Sequence, residues 1–266
     1  MTDASPFPLV AVDVGNSRVK FGLFPPPPTS DAHNLPAPAA TLDLRVGTEP
    51  WSKLDEFLGA RSADSLAWHI GSVQRRTASQ LVDQLKERGA TRITLLTSRD
   101  LPLKIRLPQP DRVGIDRLLG AVAADHLRAP HKPAVVVHVG TAITVNLVDS
   151  TGAFRGGAIL PGIAMSARAL HEFTDLLPLI DMQSLADAPP AIGESTVPAM
   201  TSGLYWGAVG GVKQLIELFG REAGGEPDVF LTGGAAPSVA KNFPGTVRCE
   251  PHLILGAIAL VASRQR

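Results

Sequence analysis

One cysteine and one tyrosine stand in a chain of 266 residues, and aromatic residues make up only 5% of it. A lone thiol, Cys249, closes no internal disulfide, so the chain does not read as a disulfide-stapled secreted fold. An excess of either charge is missing too, with 25 Lys plus Arg against 25 Asp plus Glu. Without surplus positive charge to hold a phosphodiester backbone or an anionic bilayer surface, neither nucleic acid nor membrane is expected as a partner. The apolar stretch from Leu253 to Ala262 is too short to span a bilayer, which takes about 20 helical residues, and reads as a core helix. The N-terminus lacks the charged start and apolar centre of a signal peptide, so a cytoplasmic protein is expected. His69, His126, His131, His171 and His252 show no metal-ligand spacing, and none is assigned to a metal.

Glycine and proline, in contrast, are plentiful at 25 and 23 residues, and they punctuate the chain. At about 100–200 residues per domain the length suits two moderate domains. Leu9–Val12 and Val19–Phe24 read as strands around a glycine turn, and the Pro25–Pro28 run must leave the sheet because proline donates no ladder hydrogen bond. Strand character at 65–73 and 92–97 alternates with helical spacing at 51–59 and 74–88. A helix over Val113–Leu127 is stopped by Pro130 and Pro133, which places the domain boundary at 130/131. Beyond it come a strand-turn-strand unit, a strand at 153–160, a helix after Pro161, a long helix over Pro198–Glu222 and a strand ending in Thr232-Gly233-Gly234.

The second half repeats the first. "AVDVGNSRVKF" at 11–21 and "VVHVGTAITVN" at 136–146 each carry an apolar strand, a polar residue, a glycine turn with a small polar side chain, and a second strand. Lining them up pairs Asp13, Gly15, Asn16 and Phe21 with His138, Gly140, Thr141 and Asn146. Glycines let backbone N–H groups approach phosphate oxygens, and Asn or Thr side chains add hydrogen bonds, so two such loops suit one phosphate chain. Asp13 at a strand end is placed to hold Mg²⁺ directly or through water. Asp116 has two readings: a first-turn acid that complements the helix dipole, or a carboxylate that takes a hydroxyl proton during phosphoryl transfer.

"DVGNSRVKFG", "VGIDRL", "VGTAIT", "GGAILPG", "STVPAMTSGLYWGAVGG" and "FLTGG" follow one another as they do in type III pantothenate kinases, and the chain resembles that family from about residue 9 to 260. The resemblance implies an α/β fold of two ribonuclease H-like, actin-like ATPase domains related by internal duplication, 1–130 and 131–266, with nucleotide in the cleft between them. It implies phosphorylation of the primary hydroxyl of pantothenate by ATP, the first step toward coenzyme A, in a homodimer using Mg²⁺ and a monovalent cation, K⁺ or NH₄⁺. Carried over residue by residue, the ATP-binding set is Asp13, Val14, Gly15, Asn16, Ser17, Arg18, Val19, Lys20 and Thr141, with Thr144 as a lesser candidate. Asp116 is the catalytic base, and Gly114, Ile115, Asp116 and Arg117 bind substrate. Thr196, otherwise read as the N-cap of the long helix, contacts substrate across the dimer interface. Gly156, Gly157, Pro161 and Gly162 shape the pantothenate pocket. The glycines at 203, 207, 210 and 211 call for close packing, in a dimer contact or against the sheet.

The chain departs from the family at His138, where an Asp is usual, at Asn146, where a second Asp is usual, and at Ala235, where an acid often follows the glycine pair. The first change removes the expected carboxylate ligand of the monovalent cation, although a protonated imidazole carries a positive charge of its own. Two alternatives to the pantothenate kinase therefore stay open at this stage: a nucleotide-binding regulatory relative without turnover, and a kinase for another small alcohol.

Overall fold

The computed structural model of the protein describes residues 6–25, 33–47, 50–181, 187–243 and 247–264. Residues 26–28 of the proline run lie outside them. Two compact units divide the chain.

The first unit opens with β1 (Leu9–Val14), β2 (Arg18–Phe24) and β3 (Ala40–Arg45), followed by α1 (Ser52–Leu58), β4 (Ala67–Ser72), α2 (Arg75–Glu87), β5 (Arg92–Leu95), a two-residue strand β6 (Lys104–Ile105) and α3 (Ile115–Leu127). Its sheet runs β3-β2-β1-β4-β5, with β1, β2 and β3 antiparallel and β4 and β5 parallel to β1. Side chains alternate across it as the period of two demands. Val10, Val12, Val14, Phe21, Leu44, Trp68 and Ile70 bury one face with Leu54 and Leu58 of α1 and Leu81 and Leu85 of α2. A fully buried aliphatic or aromatic side chain of this kind contributes about 1.5–3 kcal/mol. The other face is closed around Gly71, where a Cβ would lie 2.8 Å from Leu119 of α3.

The second unit contains β7 (Ala134–Val139), β8 (Ala142–Val148), β9 (Ala153–Pro161), α4 (Ile163–Glu172), α5 (Thr196–Ala223), β10 (Asp228–Thr232), α6 (Ala236–Ala240) and β11 (Val247–Cys249). Within the unit the sheet order is β9-β8-β7-β10-β11, antiparallel across β9-β8-β7 and parallel across β7-β10-β11. Strand for strand this is the order and sense of the first unit, which gives both the ribonuclease H-like arrangement and the internal duplication expected. Its core gathers Val135, Val137, Val145 and Leu231 against Tyr205, Val209 and Val212 of α5.

The last helix, α7 (Leu253–Arg264), corrects the expected division at 130/131. The first unit runs to Leu127 and resumes at His252, while Arg128–Pro251 form the second. Leu253 to Ala262 are all buried, as a core helix requires, and Ile258 and Leu255 approach Gly71 and Gly22 of the first sheet. Local pattern marks α7 as apolar on every side but is silent about which sheet it covers.

Candidate active site

In the first unit the expected nucleotide stretch is a strand end, a tight turn and the strand leaving it. The turn closes through the Gly15 N–H donating to the Arg18 carbonyl at 2.9 Å. Asn16, Ser17 and Arg18 are exposed on it, while Val14 and Val19 turn into the core, so these two face the turn only through their backbone. Asp13 pairs in register with Lys20 on one side and Gly71 on the other, and Lys20 pairs with Asp43, so Asp43, Lys20, Asp13 and Gly71 form one row on one face. Asp13 is 8% exposed. Burial pushes its carboxyl up to about 7; Lys20 pulls it down, and Asp116 and Asp43 push it up. The electrostatic influence of Asp116 on Asp13 brings two site residues 103 positions apart in sequence into one neighbourhood.

Asp116 stands in the first turn of α3, and its Oδ1 accepts a hydrogen bond from the Arg117 N–H at 2.8 Å. The carboxylate folds back over Gly114, where a Cβ would lie 2.6 Å from that oxygen, so the glycine leaves the room the acid occupies. Arg117 is half-buried; burial lowers the proton affinity of its guanidinium and Asp116 opposes the shift. Ile115 is buried with the core, which leaves only its backbone to face the candidate site.

The second unit repeats the turn with one residue fewer. Gly140 N–H donates to the Ala142 carbonyl at 3.2 Å, and His138 pairs with Thr144 where Asp13 pairs with Lys20. Counted from this register, Asn146 corresponds to Gly22 and not to Phe21, because the shorter turn slips the second strand by one place and a slip of one exchanges faces. Asn146 is buried on the face of Thr144, to whose Oγ1 its Nδ2 donates at 3.1 Å. His138, half-buried, lies in a row with Thr232 and Thr144. Gly140 and Gly233 lie against its ring: a Cβ on either would meet the imidazole at 3.2 or 2.7 Å, and Gly233 also has φ of +102°. Thr141 is exposed at the turn.

Gly162 underlies this turn. Its N–H donates to the Thr141 carbonyl at 3.1 Å, and a Cβ there would collide with the Gly140 and Thr141 carbonyls at 2.4 and 2.3 Å. Gly157 has a reason of its own within the sheet, since a Cβ would lie 1.9 Å from the Val145 carbonyl, and Gly156 has φ of +98° beside an irregularity in the β8–β9 register. Thr196 is the first residue of α5 rather than its N-cap; Ser195 holds the cap position without a side-chain hydrogen bond. Gly203, Gly207 and Gly210 share an exposed face of α5, and a Cβ on any of them meets nothing within 4 Å, so packing against their own sheet does not account for them.

A family model described as type III pantothenate kinase matches residues 9–218. The chain belongs to the type III pantothenate kinase family. A type III pantothenate kinase of Rhodopirellula baltica is 37% identical, over 94% of this chain and 96% of the relative. Among solved structures, a Campylobacter jejuni protein described as a Baf family transcriptional activator superposes with a TM-score of 0.60 at 19% identity, covering 95% of this chain and 96% of its own. The activator of 2-hydroxyisocaproyl-CoA dehydratase from Clostridium difficile, with bound ADPNP, follows at 0.55 and 11%, covering 96% and 92%. At these identities the likeness speaks to the fold, which is that of the actin-like ATPases and sugar kinases. Sequence reading of this family member missed Gly71 and Asp43, which join the row of Asp13 only through strand register, and gave Thr232 as a strand end before the glycine pair without its place beside His138.

Proposed function

We infer that this member of the family is an ATP-dependent pantothenate kinase, which phosphorylates pantothenate to 4'-phosphopantothenate in the first step of coenzyme A biosynthesis. Family membership supports the reaction, and the observation that carries it into this chain is the Asp116–Arg117 pair at the start of α3, in electrostatic reach of Asp13. In this reading Asp116, held by the Arg117 N–H and given room by Gly114, accepts the proton of the pantothenate hydroxyl as the phosphoryl group transfers. The half-buried Arg117 guanidinium offers a planar pair of donors to the pantothenate carboxylate. Gly15, Asn16 and Ser17 present backbone and side-chain donors to the nucleotide phosphates, with Arg18 and Lys20 supplying charge and Thr141 contributing from the second turn.

The residues suit Mg²⁺. Asp13 is a nearly buried carboxylate whose charge is opposed by burial and by two neighbouring acids, a setting a divalent cation relieves. Such an ion would be held by one or two carboxylates, phosphates and water. Bound Mg²⁺ would neutralise charge on the transferring phosphates.

A monovalent cation does not suit His138. Potassium prefers oxygen donors, and an imidazole between two threonines in register offers no anionic one. We therefore propose that the imidazole substitutes for the ion, and expect turnover in sodium, potassium and ammonium salts at matched ionic strength to agree within about twofold. Strong potassium activation would refute the substitution. We also propose a homodimer through the exposed glycine face of α5, where Thr196 is within the first turn and Phe173, Leu176 and Ile192 are exposed apolar residues of the same unit.

A coupled assay of purified protein with ATP, Mg²⁺ and pantothenate tests the function, with Asp116→Asn as the paired variant. Turnover abolished by Asp116→Asn, with ATP binding retained, is expected. ATP binding without turnover in the unaltered protein identifies a regulatory relative, and turnover with other alcohols alone identifies a different substrate.

A further inference from the structure

The charged face of the first sheet extends past the turn. Arg18 of β2 stands directly opposite Arg45 of β3, and Lys20 directly opposite Asp43. Opposed residues, and those two apart along a strand, share a face, so Arg18, Lys20, Asp43 and Arg45 lie on the side of Asp13. Farther from the turn this face is covered, since a Cβ on Gly22 would meet Leu255 and Pro38 at 3.2 Å; Arg18, Asp43 and Arg45 are exposed.

Like charges set directly opposite on neighbouring strands destabilise a sheet. Asp43 compensates one of the two arginines, its Oδ1 lying 3.2 Å from Arg18 Nη1. The Arg45 side chain makes no hydrogen bond or ion pair among the described residues. Its backbone is nevertheless tied to the turn, because the next residue, Val46, donates its N–H to the Ser17 carbonyl at 3.0 Å. A guanidinium with no acid of its own among the described residues is thus fastened beside a second guanidinium, at the turn whose exposed donors suit an anion. An anion with several oxygens lodged there relieves the repulsion and gives the free fork its partner.

We propose that Arg45 is a further binding residue for the nucleotide, reaching its polyphosphate from β3 alongside Arg18 and Lys20. The inference rests on the assignment of the Asp13–Lys20 turn to the nucleotide made above. A merely solvated Arg45 makes the opposite forecast, that nucleotide affinity ignores it.

Full-length Arg45→Gln, Arg45→Lys and Lys20→Gln, with the exposed and distant-in-sequence Arg61→Gln as control, decide between them by equilibrium titration with ATP and ADP, steady-state KM for each substrate, and nucleotide-free thermal midpoints. Arg45→Gln is expected to weaken ATP about tenfold at low salt, Arg45→Lys by less, and the deficit to shrink as salt screens the charge. KM for pantothenate at saturating ATP should move by less than about twofold, and the thermal midpoint should not fall, since a repulsion has been removed. Arg61→Gln should bind ATP as the unaltered protein does. If Lys20→Gln weakens ATP and Arg45→Gln does not, the role of Arg45 is refuted while the turn keeps its nucleotide. If neither does, the nucleotide assignment falls and takes the role of Arg45 with it. A loss shared equally by ATP and pantothenate, with a lowered midpoint, means that Arg45 supports the fold and also overturns the proposal.

Discussion

Asp13 illustrates how a side chain proposed for chemistry can oppose stability. Its folded-state carboxyl is pushed up to about 7, chiefly by burial. The folded chain therefore binds this proton more tightly than the unfolded chain, and the stability it contributes at acid pH is lost as pH rises from the usual carboxylate range to about 7. Asp13→Asn should stabilise the nucleotide-free protein at pH 8 by on the order of 2 kcal/mol, by less at pH 5, and at the same time depress Mg²⁺-dependent turnover. Urea titrations at the two pH values measure the first effect, and an activity assay across Mg²⁺ concentrations the second. His69 acts with the opposite sign. It is buried on β4, its Nδ1 has no hydrogen-bond partner among the described residues, and burial lowers its proton affinity against a smaller pull from Asp100. Below about pH 6.5 the unfolded chain takes up a proton that the folded chain resists, so stability falls as pH falls. His69→Leu should flatten the acid-side decline of the thermal midpoint between pH 7 and 5; an unchanged slope would assign that decline to other groups.

Elements were legible where a strong local pattern decides them. The β1 and β7 runs, their glycine turns and α3 were all read from apolar spacing; the structure carries β1 two residues further, to Val14, and starts α3 two residues later, at Ile115. The strand β3 was missed although Leu42 and Leu44 alternate with Asp43 and Arg45, and with it went every site residue that strand supplies. The match of Phe21 with Asn146 failed because turn length, which sequence similarity of the two halves obscures, sets register. Asp116 and Arg117 were legible through resemblance, whereas the closeness of Asp116 to Asp13 required α3 to lie over Gly71. The α5 glycines make an element-level prediction. A Cβ at Gly207 meets no other part of the described residues within 4 Å, so in a monomer alanine there should raise helix stability by about 0.8–1.0 kcal/mol. In the proposed dimer the added methyl groups of Gly203→Ala/Gly207→Ala should instead weaken association by at least about tenfold, measured by sedimentation, and an unaffected dimer would place the interface elsewhere.

For the whole molecule, duplication is complete at the level of strand order and incomplete at the level of chemistry. Both sheets offer a polar residue at the fifth position of their first strand, yet one offers a carboxylate and the other an imidazole. The units also differ in how the chain assembles them, since the first borrows α7 from beyond the second. Ending the chain after Pro251 would uncover Gly22, Gly71 and the apolar side of α3 while leaving every strand of the second unit in place. The shortened protein should show rapid proteolysis before residue 127 and protection within 128–251; equal protection of both units would show that α7 is dispensable.

That borrowed helix also reverses the order in which the protein can mature on the ribosome. Domains generally fold as units, the N-terminal one first, during synthesis at about 5–20 residues per second. Here the second unit has all its residues once Pro251 has emerged, while the first, although translated earlier, waits for Leu253–Arg264 to appear. During that interval the face of β1, β2 and β4 that α7 will cover is exposed to whatever binds apolar surface in the nascent chain, so the part of the protein carrying Asp13 and Asp116 is the last to be completed.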